Sequence, residues 1–340
     1  MWKFLGALLT LAILVALIVL AWPQLFGLQT TWIIAHAVAL RTATALGAVA
    51  LAIVFLVLCF ARPIRRFAGA VAVLLLVFSV AVGSIAAVRG LGFETAGHAQ
   101  ESDVTVLTWN TLGDAPGAET IAQLAIDSEA DIVTLPETTQ QAGIDVAVAM
   151  RDAGNPMWVH TVAYDTVSKA RSTTVLISPR LGEYRQVSTS EDRADNTAVL
   201  PSVVLEPVSG DGPRIVAVHA VSPLETQMDN WRNDLTWLAS QCTGDNVIMA
   251  GDFNATIDHM ASLGHDDGTL GRCSDAATSA GAGAVGTWRS DWPALLGTPI
   301  DHVMATSNWE VTGFRVVTQL DETGSDHRPV IAQLRPSPAS

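Results

Sequence analysis

Three long apolar runs occupy the first quarter of the chain. They cover about residues 4–22, 42–60 and 67–88, and their Leu, Val, Ala and Ile residues show no amphipathic period. A helix needs about 20 apolar residues to cross a bilayer, and a helix surrounded by lipid is apolar on every side. The pattern predicts three transmembrane helices that form a membrane anchor over residues 1–93, with segment 24–41 as either an interfacial helix or a loop.

The start of the first run and the loop after the second set the expected orientation. Lys3 is also typical of a cleaved signal peptide, but the run is long for one and no small-x-small site precedes Pro23. We therefore favour an uncleaved span. Loop 61–66 carries three arginines, and basic loops stay in the cytoplasm. Three crossings then make this a multi-pass protein of the cell membrane, in contact with its lipid bilayer, whose larger domain is extracytoplasmic.

Beyond the anchor, short apolar segments alternate with stretches of helical spacing. Helices are predicted over 119–130 and 227–240. This alternation predicts an α/β domain over 103–335, after a polar linker over 94–102 and before a disordered tail over 336–340. The predicted strands cover residues 104–109, 131–135, 173–178, 199–205, 214–219, 246–250, 300–305, 311–317 and 329–334.

Charge is divided as sharply as hydropathy. The chain has 33 acidic and 19 basic residues, and residues 1–93 contain six of the basic ones and no acidic one. The remainder therefore carries 13 − 33 = −20 formal charges. Such a balance argues against a general nucleic-acid binder, which needs basic residues to neutralise phosphates, although a bound metal ion would change the local field.

Two cysteines, Cys242 and Cys273, lie in the larger domain. An exported domain rarely keeps exposed free thiols, so we favour a disulfide between them over two unpaired thiols.

Polar residues recur at the ends of the predicted strands, where α/β proteins assemble their sites. One such residue is usually a cap or a turn former, but so many in the same position indicate a site. The set is Asn110, Glu137, His219, Asp252, Asn254, Asp301, Asp326 and His327.

These residue types point to metal and proton chemistry. Glu137 and the amide of Asn110 are hard oxygen ligands suited to Mg²⁺, Mn²⁺ or Ca²⁺. His327, with Asp301 upstream, has the composition of a histidine oriented by a carboxylate for acid–base work. Asp252 and Asn254, two apart on a turn, can hold a nucleophilic water or an oxyanion.

Two further groups remain open. Trp288 and Trp292 either line a substrate groove or pack in the core, and core packing is favoured for Trp288. The second group could be read as a second metal cluster, but its spacing is not that of metal ligands, so we expect a solvated loop. Its members are Asp258, His259, His265, Asp266 and Asp267.

The motifs around these residues resemble those of the endonuclease/exonuclease/phosphatase superfamily, the DNase-I-like fold, over about residues 103–335. The resemblance implies a four-layer α/β sandwich of two packed mixed sheets that hydrolyses phosphodiesters or phosphomonoesters with Mg²⁺ or a similar ion. The matching segments, in the family's order, are TWNT (108–111), LPE (135–137), VH (218–219), GDFNA (251–255), IDH (300–302) and GSDHRP (324–329).

The resemblance also implies roles for individual residues. Some family members carry an acidic residue where this chain has Leu112, which puts a second metal ligand at that spot in doubt. The implied metal ligands are Glu137, Asn110 and Asp326. His327 would activate water or contact the phosphate, with Asp301 orienting it, while Asp252 and Asn254 would bind phosphate and position the nucleophile. His219 would donate to the phosphate or leaving group, and Arg171 and Arg328 are the basic candidates for phosphate contact.

The sequence thus predicts a membrane-tethered, divalent-metal-dependent hydrolase of phosphoester bonds, of phosphodiesterase or nuclease type. A phospholipid or sphingomyelin phosphodiesterase or phosphatase is an alternative, because the tether keeps the site near a bilayer. A non-catalytic binding module is a second alternative. The expected substrate is a phosphate ester, either nucleic acid or lipid head group, and no protein partner is inferred.

Overall fold

The structure, a computed structural model, describes residues 2–95, 100–190, 195–210 and 212–337. It divides into two compact units, one ending at Arg89 and one beginning at Gly90.

The first unit is helical. Three of its helices, α1, α3 and α4 as bounded below, are long and apolar enough to cross a membrane. The segment between α1 and α3 contains a short 3-10 turn and the helix α2, so it is largely helical. The elements are α1 (Trp2–Ala21), the 3-10 turn (Pro23–Phe26), α2 (Trp32–Ala39), α3 (Arg41–Leu58) and α4 (Arg65–Arg89).

Small side chains let α3 and α4 pack closely. Ala48 and Ala52 of α3 are buried against Leu75 of α4, and the Ser79 hydroxyl donates to the carbonyl of Ala45 at 3.0 Å. Small residues at a helix interface allow the backbones to approach, which suits helices that lack a hydrophobic driving force in lipid.

The second unit holds two mixed β-sheets flanked by helices. Its helices are α5 (Ala118–Asp127), α6 (Gln140–Asp152), α7 (Met228–Gln241), α8 (Ile257–Met260) and α9 (Ala276–Ser279). Its strands are β1 (Glu94–Thr95), β2 (Val104–Thr108), β3 (Ile132–Pro136), β4 (Trp158–Ala163), β5 (Ser172–Ile177), β6 (Tyr184–Gln186), β7 (Val203–Pro207), β8 (Arg214–His219), β9 (Val247–Asp252), β10 (Ser274–Asp275), β11 (Asp301–Ala305), β12 (Trp309–Val316) and β13 (Val330–Pro336).

The strand order places the two sheets' central strands at the core. The first sheet runs β1-β12-β13-β2-β3-β5-β4, and the second runs β10-β11-β9-β8-β7-β6. Alternate residues of both sheets, such as Val106 of β2 and Ile248 of β9, bury each other between the sheets. On the outer face of the first sheet, Leu107 packs with Ile121 of α5 and Val146 of α6. The predicted four-layer sandwich with three preceding apolar helices is confirmed.

Several elements differ from the sequence prediction. The helix α6 and the strands β4 and β6 were not predicted. In α6, Gly143 interrupts the apolar spacing; it is needed because a Cβ there would lie 2.4 Å from the Thr174 side chain. In β4, the half-exposed pattern blurs the alternation that marks a strand. The strand predicted from residue 199 begins only at Val203.

The predicted linker and tail overlap the sheet at their ends. Glu94 and Thr95 pair with β12 as an edge strand, and Pro336 pairs with Trp309. Residues 96–99 of the linker and 338–340 of the tail lie outside the described residues.

The loop around His259 is more ordered than expected. Asp258 and His259 are buried, and His259 Nδ1 accepts the backbone N–H of Thr256 at 2.8 Å as part of the capping box of α8. The expectation of a solvated loop is therefore wrong for these two residues, because a short helix needs its free N–H groups satisfied.

Cys242 and Cys273 form a disulfide with a Cα–Cα distance of 5.9 Å. It ties the end of α7 to the segment before β10.

Candidate active site

Strand direction brings the predicted polar residues to one edge of the two sheets. The pair β2/β3 and the pair β8/β9 are each parallel, so Asn110, Glu137, His219 and Asp252 all follow or end strands on the same side. Asp301 begins β11, which is antiparallel to β9, and lies directly opposite Asp252.

Asn110 links two carboxylates. Its Nδ2 donates to Glu137 Oε1 at 3.2 Å and to Asp252 Oδ2 at 3.0 Å, while its Oδ1 accepts the backbone N–H of Leu112 at 3.0 Å. In this arrangement the amide oxygen accepts within its own turn and the amide nitrogen faces the carboxylates. The role of Asn110 as an oxygen ligand stays a prediction.

The turn after β9 is built around Asp252. The Asn254 backbone N–H donates to Asp252 Oδ1 at 2.8 Å, and Asn254 Nδ2 donates to Asp252 Oδ2 at 3.1 Å and to the carbonyl of Ala220 at 2.9 Å. Gly251 is required before it, because its φ is +151° and a Cβ would lie 2.0 Å from the carbonyl oxygen of Val218. The turn holds both polar side chains against the end of β8.

His327 is held by a carboxylate on one side and faces two on the other. Its Nδ1 bonds Asp301 Oδ2 at 2.9 Å, and its Nε2 lies 3.8 Å from Asp252 Oδ2 and 3.9 Å from Asp326 Oδ1. Burial alone would favour the neutral ring, but the charges of Asp301 and Asp252 outweigh it and raise the pKa of His327 to about 10. The neighbouring carboxylates therefore favour the protonated, positively charged form of the His327 ring.

His219, by contrast, is neutral. Its ring is fully buried, and Nδ1 lies 3.4 Å from Thr173 Oγ1. Nε2 lies 3.9 Å from Glu137 Oε1 and has no hydrogen-bond partner among the described residues. Burial, reinforced by the charge of His327, lowers the pKa of His219 to about 3. The site thus contains one charged and one neutral histidine.

The remaining carboxylates are crowded. Burial raises the pKa of Glu137, and the hydrogen bond from Asn110 only partly opposes it. Burial also raises the pKa of Asp252, to which the charge of Asp301 adds. Asp326 accepts a hydrogen bond from Trp288 Nε1 at 2.9 Å through Oδ2, while its Oδ1 is buried without a partner.

This arrangement fits a cation better than it fits the protein alone. Asp252, Asp301 and His327 place potential ligand atoms within 4.8 Å of one another. Two more carboxylates, Glu137 and Asp326, lie beside this group, and His327 is close to both of them. Oxygen-rich groups of this kind suit Mg²⁺, Mn²⁺ or Ca²⁺.

Sequence reasoning gave no role to Ser325, although it lies inside the GSDHRP segment. Its hydroxyl donates to the carbonyl of Asn110 at 2.6 Å and accepts the backbone N–H of His327 at 3.0 Å. Trp109 Nε1 donates to the carbonyl of His327 at 2.9 Å. Together they fasten the loop that carries His327 to the end of β2.

His302 likewise had no predicted role of its own and entered only as part of the IDH segment (300–302). It is buried, with Nδ1 bonded to Asp275 Oδ1 and Nε2 donating to the carbonyl of Ala255, both at 2.9 Å. Its ring therefore supports the turn that carries Asn254. Only the adjacency to Asp301 could have suggested this from the sequence.

The two predicted phosphate-contacting arginines are each bonded to other groups of the protein. Arg328 is buried and its guanidinium bonds both oxygens of Asp321 and four carbonyls, those of Gly286, Arg289, Ser290 and Trp292. With all its N–H groups used, it braces the loop and does not face a substrate, which corrects the prediction. Arg171 pairs with Asp165 at 3.1 Å and donates to the carbonyl of Val199 at 3.3 Å.

Comparisons with known proteins agree with the fold. The model of the Endonuclease/Exonuclease/phosphatase family matches residues 107–327. No curated protein matches the chain.

Solved structures share the fold at low sequence identity. An endonuclease/exonuclease/phosphatase from Beutenbergia cavernae has 17% identity and a TM-score of 0.51, over 70% of this chain and 73% of that one. A protein of that description from Bacteroides vulgatus has 16% identity and a TM-score of 0.50, over 70% and 100%. D. rerio TDP2 complexed with a single-strand DNA product has 15% identity and a TM-score of 0.51, over 69% and 100%.

Proposed function

The chain belongs to the endonuclease/exonuclease/phosphatase family, whose members are phosphoester hydrolases, and we propose that it is a divalent-metal-dependent phosphodiesterase anchored in the cell membrane. The observation that carries the proposal is the buried group of Asp252, Asp301 and His327, which has the composition of an acid–base site. The carboxylates of Glu137 and Asp326 lie beside it.

Two carboxylates are the proposed cation ligands. Glu137 and Asp326 would hold the ion, Asp326 through the Oδ1 atom that has no other partner, while Asn110 orients Glu137 through its amide N–H. When bound, a divalent cation offsets the negative charge that develops on the phosphoryl oxygens. Mg²⁺ is the first candidate, because it is commonly held by only one or two carboxylates together with waters and phosphate.

The chain's own side chains handle the protons. Asp252, whose pKa is raised by burial, accepts a proton from the attacking water as general base. His327, held at Nδ1 by Asp301, presents Nε2–H to a phosphoryl oxygen. Asn254 positions Asp252 and the water, and neutral His219, with Nδ1 facing the Thr173 hydroxyl, donates from Nε2–H to the phosphate or the leaving oxygen.

The anchor sets the location. The three apolar helices indicate membrane association, and the arginine-rich loop between α3 and α4 favours a cytoplasmic position for that loop. The catalytic unit is then extracytoplasmic, which agrees with the disulfide between Cys242 and Cys273.

The test uses the full chain in detergent micelles with bis-p-nitrophenyl phosphate, in Mg²⁺, Mn²⁺, Ca²⁺ or EDTA. We expect hydrolysis that EDTA abolishes and that His327→Ala or Asp252→Asn lowers by about 10²–10⁴-fold, the range for lost acid–base groups. His265→Ala is the matched control, because His265 is exposed in a separate loop. Hydrolysis that survives EDTA would overturn the metal dependence, and hydrolysis that both site variants retain would overturn the proposed site. A wild type that hydrolyses nothing under any of these conditions would favour a binding module.

A further inference from the structure

Exposed apolar side chains surround the candidate active site. They are Val167, Leu224, Leu112 and Trp292, which are 91%, 57%, 45% and 42% exposed. We call these four residues the mouth rim. Large apolar side chains that remain in water, together on several loops at one site, indicate a contact surface.

Hydrogen bonds fasten the first two rim loops together. Leu112 follows Asn110 in the turn after β2. Val167 lies in the loop between β4 and β5, and the neighbouring Lys169 donates from Nζ to the carbonyl of Gly113 at 3.2 Å. The β4–β5 loop therefore lies against the turn that carries Leu112.

The other two rim residues are linked to the segments that carry His219 and His327. Leu224 lies in the segment after His219, at the end of β8. Trp292 accepts a bond from Arg328 through its carbonyl at 2.7 Å, and the Ser290 N–H donates to the carbonyl of Asp326 at 2.8 Å. All four side chains thus belong to segments that follow candidate site residues or are hydrogen-bonded to segments that carry them.

The basic side chains next to the mouth rim are already paired with acidic ones, which leaves little positive charge for a polyanion. Among the described residues there, Lys169 pairs with Asp114 at 3.2 Å, Arg171 with Asp165 at 3.1 Å and Arg289 with Asp291 at 2.7 Å. A nucleic-acid groove instead leaves basic side chains for phosphates. The mouth rim therefore suits a surface in which zwitterionic groups cover an apolar interior.

We propose that the mouth rim rests on the zwitterionic surface of a bilayer and that the substrate is a phosphodiester in a lipid headgroup. The chain carries three helices able to cross a membrane, so a bilayer is an apolar partner that accompanies this catalytic unit. Tryptophan and aliphatic side chains are favoured at the boundary of headgroups and acyl chains. This inference rests on the proposed phosphodiesterase function and names its substrate class.

The reaction needs only water as co-reactant. The water oxygen bonds to phosphorus as one P–O ester bond breaks, the water gives a proton to Asp252, and the leaving oxygen takes up a proton. Cleavage of either ester bond of a choline phospholipid releases a water-soluble product that contains choline.

The test places the full chain in nanodiscs of phosphatidylcholine labelled in its choline group, with Mg²⁺, and measures released label beside bis-p-nitrophenyl phosphate hydrolysis. The rim variant is Val167→Ser, Leu224→Ser, Trp292→Ser. The matched control is Val208→Ser, Ile144→Ser, Trp158→Ser, whose side chains are 51%, 40% and 57% exposed but belong to other loops and elements. We expect label release, slower with headgroup-labelled phosphatidylglycerol, and a ratio of lipid to soluble turnover at least tenfold lower in the rim variant only.

Each other outcome has a defined meaning. If the wild type hydrolyses the soluble ester but releases no label, or cleaves plasmid DNA in preference to lipid, the lipid proposal fails and the phosphodiesterase proposal stands. If the rim variant keeps the wild-type ratio, or the control loses it equally, the rim is not the lipid contact. If phosphatidylglycerol is the better substrate, the zwitterionic assignment is wrong. If the wild type hydrolyses neither substrate, both proposals fail.

Discussion

At the ends of β2 and β3 that lie away from the active site, each buried carboxylate has an arginine. Arg335 donates from Nε and Nη2 to the two oxygens of Asp103, both at 2.9 Å, and Arg180 Nε donates to Asp131 at 2.9 Å. At the other end of β3, Glu137 shares the neutral amide of Asn110 with Asp252, which ends β9. The same residue type is thus paired at one end and grouped without an arginine at the other.

The two ends also shift carboxylate pKa values in opposite directions. The hydrogen bond from Arg335 lowers the pKa of Asp103, whereas burial raises the pKa of Glu137. A carboxylate that has its own arginine stabilises the fold, while four carboxylates grouped around one histidine oppose folding and favour the binding of an external cation. The contrast separates a structural end of the domain from the end that carries the candidate active site.

The largest expected effect is on activity at the grouped end. Glu137→Gln keeps an acceptor for Asn110 but removes the charge, so we expect phosphodiester hydrolysis to fall by more than about 100-fold, the upper range for partners that only orient a metal ligand. Glu129→Gln is the matched control, because Glu129 and Glu137 precede and follow β3 and have φ of +50° and +58°. Equal activity of the two variants would break the comparison.

The second effect is on stability in the presence of metal. At 100 times its dissociation constant, Mg²⁺ should stabilise the wild type by about 2.7 kcal/mol, which corresponds to an increase in Tm of roughly 5–11 °C for a domain of this size. Glu137→Gln should lose most of this increase, whereas Asp103→Asn should keep it. A Tm that rises equally in both variants, measured by scanning fluorimetry with Mg²⁺ and with EDTA, would place the ion outside the grouped end.

Sequence pattern predicted the architecture because the hydrophobic effect acts along each strand separately. β2, β3 and β9 are buried on both faces and appear as continuous apolar segments. β4 is half-exposed and β6 has three residues, so neither gives a clear period. The polar positions of α6 are compatible with a loop, and only tertiary packing against Thr174 identifies Gly143 as part of a helix.

The sequence predicted which residues come together at the candidate site, but not the contacts that they make there. Asp301 and His327 were expected as a pair, and the structure joins them. The orientation of the Asn110 amide depends on the backbone of Leu112, and the burial of Arg328 depends on four carbonyls of a distant loop. Spacing along the chain contains no information about either, because both are set by how separate loops meet.

A smaller effect is expected at the paired end. Asp103→Asn leaves Arg335 without its ionic partner, which should lower the stability by about 1–2 kcal/mol, or roughly 2–8 °C in Tm. Hydrolysis of bis-p-nitrophenyl phosphate should stay within about twofold of wild type, since the side chain lies at the other end of β2. Lost activity in a folded Asp103→Asn protein would show that the two ends are coupled.

The smallest effect, and the most direct test of the contrast, is the pH dependence of stability without metal. The pKa of Asp103 is lowered in the fold, so its contribution is present above the ordinary value of 3.8 and is lost as pH falls through the folded pKa. The pKa of Glu137 is raised from its ordinary 4.5, so its contribution is present at low pH and is lost as pH rises through the folded pKa. The Tm deficit of Asp103→Asn in EDTA should therefore shrink toward acid, while Glu137→Gln should gain on the wild type toward alkali. Parallel Tm curves for the wild type and both variants, measured from acid to mildly alkaline pH, would mean that the two ends hold their carboxylates in the same way.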